Sequence, residues 1–484
     1  MAGRSSVPDL HIFPYDEGRF VVFHPTTKIF FRAGSGTADV LRRLTRHESE
    51  RSIAQELGVD SAQVKETARL CRAQIQARHD SFPEGPGKAG EDRTCGKLSF
   101  HVSNDCNMRC KYCYASGGAY GLAKDRMSVQ TSLAILSRFY SAFDEINEIM
   151  FFGGEPLLNF PAIEAVCEYL AERSRRDPAR RMPQLGMVTN LSAIPRGLPQ
   201  LIRQYALSIT VSLDGPAGVH DQNRLFISGR GTHAVVSRNI KKLKELTGEP
   251  SMIEATYTQQ HAERGISCRD LLSYFHSEFG ILQAEIADVS VADDHPCRVP
   301  ESFVGRLVQE QDATVNEMID ALADGHQAAG LNELHCTLGL LLSDPRPFDV
   351  HCNAGIHQYA VSTTGDLYPC HMFVGEKQLC MGNIFEEKAF ESQGMKNVRR
   401  MLLNAAKSRG RCSTCWARNL CMGCVARCWH EQGDISFSQR ADCRRIRRSL
   451  EGLLGRLARV SESPQRLQNL INGLQKRKPA EQQQ

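Results

Sequence analysis

Eighteen cysteines occur in 484 residues, and twelve of them fall in two stretches, three between 106 and 113 and nine between 352 and 443. Thiols crowded in this way, in a chain without secretory features, are metal ligands or redox groups before they are disulfides. Any fold open to the chain has to gather them. The N-terminus, MAGRSSVPDLHIFPYDEG, contains no apolar core of signal-peptide length, and no run of 18 apolar residues follows. The expected location is therefore cytoplasmic, with no membrane partner. A net charge of +4 with both signs interspersed gives no surface of the kind that grips nucleic acid. Length and a 41% hydrophobic content are enough for a large core and about three domains.

Residues 1–80 read as a small module: HIFPYDEG and RFVVFHPTTKIFFRAG as strands, TADVLRRL as a helix, then a second helix over 61–78. Residues 81–94 are rich in Pro, Gly and charge and read as a linker. Residues 95–330 alternate strands and helices. The strands are KLSFHVS (97–103), EIMFF (148–152), LGMVT (185–189), SITVSL (208–213), SMIEATYT (251–258) and AEIADVSV (284–291). Between the first two, Val129, Leu133, Leu136, Phe139 and Phe143 share one helical face. Such alternation predicts βα units around a parallel sheet, either an incomplete barrel or a doubly wound sheet. Residues 331–450 change texture to cysteines, turns and a short hairpin at 359–370, and 451–484 read as a helical tail.

Cys106, Cys110 and Cys113 follow the first strand of this series, where α/β sheets place ligands. At C-x3-C-x2-C spacing they suit an iron–sulfur cluster with one iron left open. Zinc and unliganded thiols are the other readings; structural zinc needs a fourth ligand, and His101 lies on the strand before the loop. With Tyr112 before the third cysteine, this loop resembles the radical S-adenosylmethionine (SAM) family. The resemblance implies a partial (β/α)6 barrel, a [4Fe–4S] cluster on Cys106, Cys110 and Cys113, and SAM on the open iron, cleaved reductively to a 5′-deoxyadenosyl radical.

Other strand ends fit the same family. FFGGEP (151–156) resembles its GGEP motif, which implies that Gly153 and Gly154 let backbone approach the cofactor and that Glu155 accepts from its ammonium group. Thr189, Asn190, Ser212 and Asp214 end the third and fourth strands and are implied near its ribose and methionine parts; Arg224, in HDQNR, is implied near a carboxylate. As plain structure, Asn and Asp-Gly are turn formers and Arg224 is a surface ion pair.

Setting Cys380 aside, Cys352, Cys370, Cys412, Cys415, Cys421, Cys424, Cys428 and Cys443 supply the eight thiols that two fully ligated clusters need. GDLYPC (365–370) and CSTCWARNLC (412–421) resemble the SPASM domain with its two auxiliary [4Fe–4S] clusters, making three in all. The resemblance implies Cys412, Cys415, Cys421 and Cys443 on the outer cluster, and Cys352, Cys370 and either Cys424 or Cys428 on the inner one. Cys71, Cys95, Cys167, Cys268, Cys297 and Cys336 read as structural. Trp416 and Trp429 read as shields for the clusters or as core.

The N-terminal module resembles the winged-helix-like peptide-recognition element of peptide maturases; a DNA-binding winged helix is disfavoured by the mild charge. The segments 370–375 and 113–121 look like maturases that install thioethers in small Cys-rich polypeptides, among them the maturases of the small subunit of quinohemoprotein amine dehydrogenase and six-cysteine peptide maturases. The resemblance implies a Cys-rich polypeptide substrate, Cys-to-carbon crosslinks at Asp or Glu methylenes, and an electron donor such as flavodoxin or ferredoxin. A sulfatase-type maturase making formylglycine and a non-enzymatic iron–sulfur scaffold remain alternatives. Asp214, Glu254, Asp288 and Asp293 lie near predicted strand ends as general-base candidates.

Overall fold

The computed structural model describes residues 9–81, 93–328, 330–342, 352–408, 412–435 and 441–475. Of the expected linker, residues 82–92 lie outside the described residues.

The N-terminal module has one strand and one helix more than its periodicity predicts. β1 (His11–Asp16), β2 (Arg19–Phe23) and β3 (Phe30–Gly34) form an antiparallel sheet in that order. α1 (Ser35–Thr45), α2 (Glu50–Leu57) and α3 (Ser61–Asp80) pack on it around a core of its own that includes Val22, Leu41, Leu44, Ile53 and Val64. The run RFVVFHPTTKIFFRAG is a hairpin rather than one strand. It turns at Pro25–Thr27, where the Lys28 amide donates to the His24 carbonyl at 2.9 Å. Apolar alternation continues through the turn and hides it; Pro-Thr-Thr was the available signal.

The six expected barrel strands are all present and parallel. β4 (Thr94–Ser103), β5 (Glu145–Gly153), β6 (Gln184–Thr189), β7 (Ser208–Ser212), β8 (Met252–Tyr257) and β9 (Gln283–Asp288) lie side by side in that order. Helices α4 (Val129–Ala142), α5 (Phe160–Arg176), α6 (Leu198–Tyr205), α7 (Ala217–Asn223), α8 (His233–Thr247), α9 (Gln259–Glu263) and α10 (Cys268–Phe279) connect them. α4 starts at Ser128, whose side chain accepts from the Thr131 amide, and it buries Ile135, Leu136 and Phe139, while Val129 stays at the surface. Alternation along each strand divides its side chains. On β8, Ile253, Ala255 and Tyr257 are buried, whereas Met252, Glu254 and Thr256 lie half-buried on the other face, toward the barrel lumen.

Two further strands extend this sheet where β4 begins it. β11 (Gln358–Val361) runs parallel to β4, Gln358 opposite Lys97 and Val361 opposite Phe100. β12 (Leu367–Tyr368) returns antiparallel to it. At the far edge β10 (Gly330–Leu331) pairs with β9, between α11 (Glu301–Ala323) and α12 (Asn332–Leu342). The hairpin of the cysteine-rich region is thus part of a nine-stranded sheet. Gly96 permits the join: its amide donates to the His357 carbonyl at 2.7 Å, and a Cβ would stand 3.2 Å from that oxygen.

α13 (Gln393–Ser408), α14 (Val425–Gln432), α15 (Ala441–Val460) and α16 (Pro464–Gln475) complete the chain. The boundary expected at 450/451 falls inside α15. Rather than forming a tail, α15 and α16 pack on α11, and α15 also covers β1. Arg456 and Arg466 both pair with Asp320, while Arg19 and Tyr15 of the module reach Glu462 at 2.8 and 3.1 Å. Among the described residues no helix is long and apolar enough to cross a membrane.

Candidate cluster and cofactor site

The loop that carries the first three thiols is tied on both sides. Amides of Arg109 and Lys111 donate to the carbonyls of Leu225 and Asn223 at 2.8 and 2.9 Å. The Arg109 guanidinium closes the loop from within, donating to the carbonyls of Cys106, Met108 and Gly117. Gly118, at φ +91°, has to lack a side chain, because a Cβ would lie 2.6 Å from the Cys106 Cβ and 2.7 Å from the Gly154 Cα. The Gly153-Gly154 turn is pressed against the same loop. Its close approaches are to Ser103 and Asp105, with the Gly154 amide donating to the Ser103 carbonyl at 2.8 Å. A Cβ at either glycine would run into that backbone.

Burial first, with neighbouring thiols adding to it, pushes the Cys106 thiol up to about 12 and Cys110 up to about 11. Thiolates collected here need an added positive charge, which fits a bound iron–sulfur cluster. Arg224 is the near cation and draws Cys110 down. It is buried and donates to the Tyr112 hydroxyl at 2.9 Å, which donates to Asp214 at 2.6 Å; Arg224 and Asp214 are 3.7 Å apart. Arg224 therefore forms no surface ion pair, and the half-buried Tyr112 links it to Asp214.

Glu155 is also engaged. Oε1 accepts from Thr189 Oγ1 at 2.5 Å and the Leu157 amide at 3.1 Å, and Oε2 accepts from the Asn190 amide at 2.8 Å. It ties the end of β6 to the Gly-Gly turn. The Asn190 side chain points at the thiols, 3.8 Å from the Cys106 sulfur. Ser212 ends β7 opposite Glu254 on β8.

The later cysteines form two groups. Cys421, raised to about 11 by burial, is acted on by Cys443, Cys415 and Cys412. Cys370, raised by burial, is acted on by Cys424 and Cys352. Among the described residues no three His, Cys, Asp or Glu side chains converge on a single-ion position. Cys71, Cys95, Cys167, Cys268 and Cys297 are buried as expected, but Cys336 is exposed on α12. Trp416 stacks on His11 with ring centroids 4.0 Å apart and meets the edge of Phe23, so the outer cysteine loop docks on the module.

Between the first thiols and Cys370 lies a lining that sequence reasoning missed. His371 packs on Phe152 at 4.5 Å, Phe152 on His101 at 5.5 Å, and His101 on Tyr120 at 5.0 Å. Tyr114 meets His430 of α14 at 5.2 Å. Both ring nitrogens of the fully buried His101 and Nδ1 of His371 have no partner among the described residues. The available signal was a histidine at a lumen-facing alternate position of β4.

Comparison with known proteins agrees with this geometry. Residues 100–258 match the radical SAM superfamily, and residues 352–416 match the SPASM iron–sulfur cluster-binding domain. The chain thus carries a radical SAM domain followed by a SPASM domain, and it fits a radical SAM/SPASM peptide maturase. It is 22% identical over 378 residues to the cysteine-type anaerobic sulfatase-maturating enzyme of Clostridium perfringens, covering 75% of this chain and 97% of that protein. It is 24% identical over 356 residues to the AdoMet-dependent heme synthase of Oleidesulfovibrio alaskensis, covering 69% and 83%. Among solved structures it resembles anSMEcpe with bound AdoMet, with a TM-score of 0.60, 18% identity and coverage of 78% and 98%.

Proposed function

We propose that this chain modifies a small Cys-rich polypeptide, joining cysteine sulfur to carbon, with Asp or Glu methylenes as the favoured partners. The observation that carries the reading is the run of packed rings, Tyr120, His101, Phe152 and His371, that leads from the first cysteine loop to the residue beside Cys370. Cys106, Cys110 and Cys113 hold the first [4Fe–4S] cluster. Cys412, Cys415, Cys421 and Cys443 hold the outer auxiliary cluster, and Cys352, Cys370 and Cys424 the inner one. When bound, SAM and its cluster supply one-electron chemistry that removes a hydrogen atom from an unactivated carbon.

The protein's own contribution is placement. Asn190, Ser212, Arg224 and Asp214, with the Gly153–Glu155 turn behind them, shape the SAM side of the lumen. His101, His371 and Phe152 shape the opposite wall. The N-terminal module supplies the peptide grip: β3 is an edge strand, and it borders a cavity of about 960 Å³ lined by Leu338, Leu341, Leu457, Leu470 and Ile471. An extended peptide added to that edge gains main-chain hydrogen bonds, with apolar anchors in the groove. A flavodoxin or ferredoxin in the cytoplasm supplies electrons.

The test is anaerobic reconstitution with SAM, dithionite and a Cys-rich polypeptide encoded beside the chain. The expected product has lost two hydrogens per crosslink, resists thiol reductants and gives no aldehyde signal with a hydrazide. The second reading is formylglycine formation, favoured by the likeness to the Clostridium perfringens sulfatase-maturating enzyme; a hydrazide-reactive product decides for it. No 5′-deoxyadenosine at all refutes both and leaves an iron–sulfur scaffold.

A further inference from the structure

Removing two hydrogens from a peptide takes away one hydrogen atom, one electron and one proton, so some group near the reacting carbon or sulfur has to receive the proton. We propose that Glu254 is that acceptor, taking the proton from a substrate thiol to its carboxylate oxygen as the sulfur becomes thiolate. The assignment rests on the radical-enzyme reading above. The step moves a proton from sulfur to oxygen and no electron; the oxidation belongs to the one-electron chemistry already described.

Of the base candidates on or just after β7, β8 and β9, Asp214, Asp288 and Asp293 are already committed. Asp214 is fully buried, with Oδ2 accepting from Tyr112 and Oδ1 from the Thr256 amide at 3.2 Å. Asp288 is paired with Arg445 at 2.7 Å. Asp293 lies at the surface, 3.0 Å from Arg298. The Glu254 carboxylate alone among these makes no side-chain hydrogen bond to a described residue, and it sits on the lumen face of β8, level with Ser212.

The charges around it come from each neighbouring element. Glu285 faces it from β9, in register. Asp214 follows β7, Arg224 follows α7, and Tyr114 comes from the cysteine loop. Burial, Glu285 and Asp214 raise its carboxyl and Arg224 lowers it, leaving it at about 7. A carboxylate held there is half-ionised at neutral pH, the condition that suits a general base. Glu285 is more exposed and accepts from Asn332 at 3.2 Å, so it acts on Glu254 rather than on substrate.

Two measurements on cluster-loaded enzyme test this. Difference infrared spectra of the wild type should show a carboxyl titrating around pH 7 that is missing from E254Q. With the Cys-rich polypeptide co-expressed as substrate, E254Q should modify it about 10²–10⁴-fold more slowly, with fewer crosslinks per 5′-deoxyadenosine formed. E254D should recover part of the rate, and its neutral pH limb should move. An unchanged infrared titration in E254Q, or modification at the wild-type rate, overturns the assignment. If the wild type forms no 5′-deoxyadenosine, the reading beneath it fails and this role falls too; wild-type activity with an unaffected E254Q refutes only Glu254.

Discussion

Replacing Thr189 with Val changes little in volume but removes a hydroxyl that does two things. Thr189 Oγ1 donates to Glu155 at 2.5 Å and accepts from the Leu191 amide at 2.9 Å. Leu191 is fully buried at φ +46°, a conformation that a branched side chain adopts only when its surroundings enforce it. A hydrogen bond to a charged group contributes about 1.5–3 kcal/mol, so T189V should open the β6 end locally by that amount. Amides of Asn190 and Leu191 should then exchange with deuterium roughly 10- to 150-fold faster, at 1.36 kcal/mol per decade. The effect should also depend on pH. Burial raises the Glu155 carboxyl above the ordinary glutamate value, and Thr189 is among the groups that hold it down. The folded state thus binds this proton more tightly than the unfolded chain, and stability declines as pH rises from the ordinary value to the raised one. Without the hydroxyl that window extends upward. The T189V penalty should therefore be smallest in acid, grow with pH, and level off once the variant's carboxyl has ionised. Exchange–mass spectrometry over a pH series reads both. Acceleration below about threefold (~0.6 kcal/mol), or a penalty flat with pH, refutes the role given to Glu155.

Gly118→Ala places a methyl inside both the Cys106 side chain and the Gly154 backbone, and iron bound by the first loop should fall to background in reconstituted protein. Cys424→Ser should remove one cluster's worth of iron from reconstituted protein; an unchanged iron content takes Cys424 off the inner cluster. Trp416→Ala removes the ring that His11 and Phe23 pack on, a loss of about 3–5 kcal/mol for a well-packed aromatic. Limited proteolysis should then cut between the module and the barrel faster, without change at Thr189.

The barrel was legible because its strands are short apolar runs separated by amphipathic helices, and that pattern fixes direction and order. The cysteine spacing likewise marked both thiol regions. Three features were illegible for physical reasons. The β2–β3 turn preserved alternation, so only Pro25 marked it. The pairing of β11 with β4 joins residues 97–100 to 358–361, a contact that no local pattern encodes. The partners that Glu155 and Arg224 hold inside the protein, Thr189 and Asn190 for the one and Tyr112 for the other, join separate strand ends that no local pattern brings together.

The ladder between β4 and β11 has one more consequence. The strand that leads into the first cysteine loop and the hairpin that ends at Cys370 are hydrogen-bonded neighbours, so the gap between the two thiol groups cannot breathe as a hinge between domains would. Under the proposed chemistry that gap is a ruler, and ring size in the product is set by the frame rather than by the peptide. Grafting this chain's module onto a relative would redirect which peptide arrives, yet loop lengths in the product would still follow the barrel that received it.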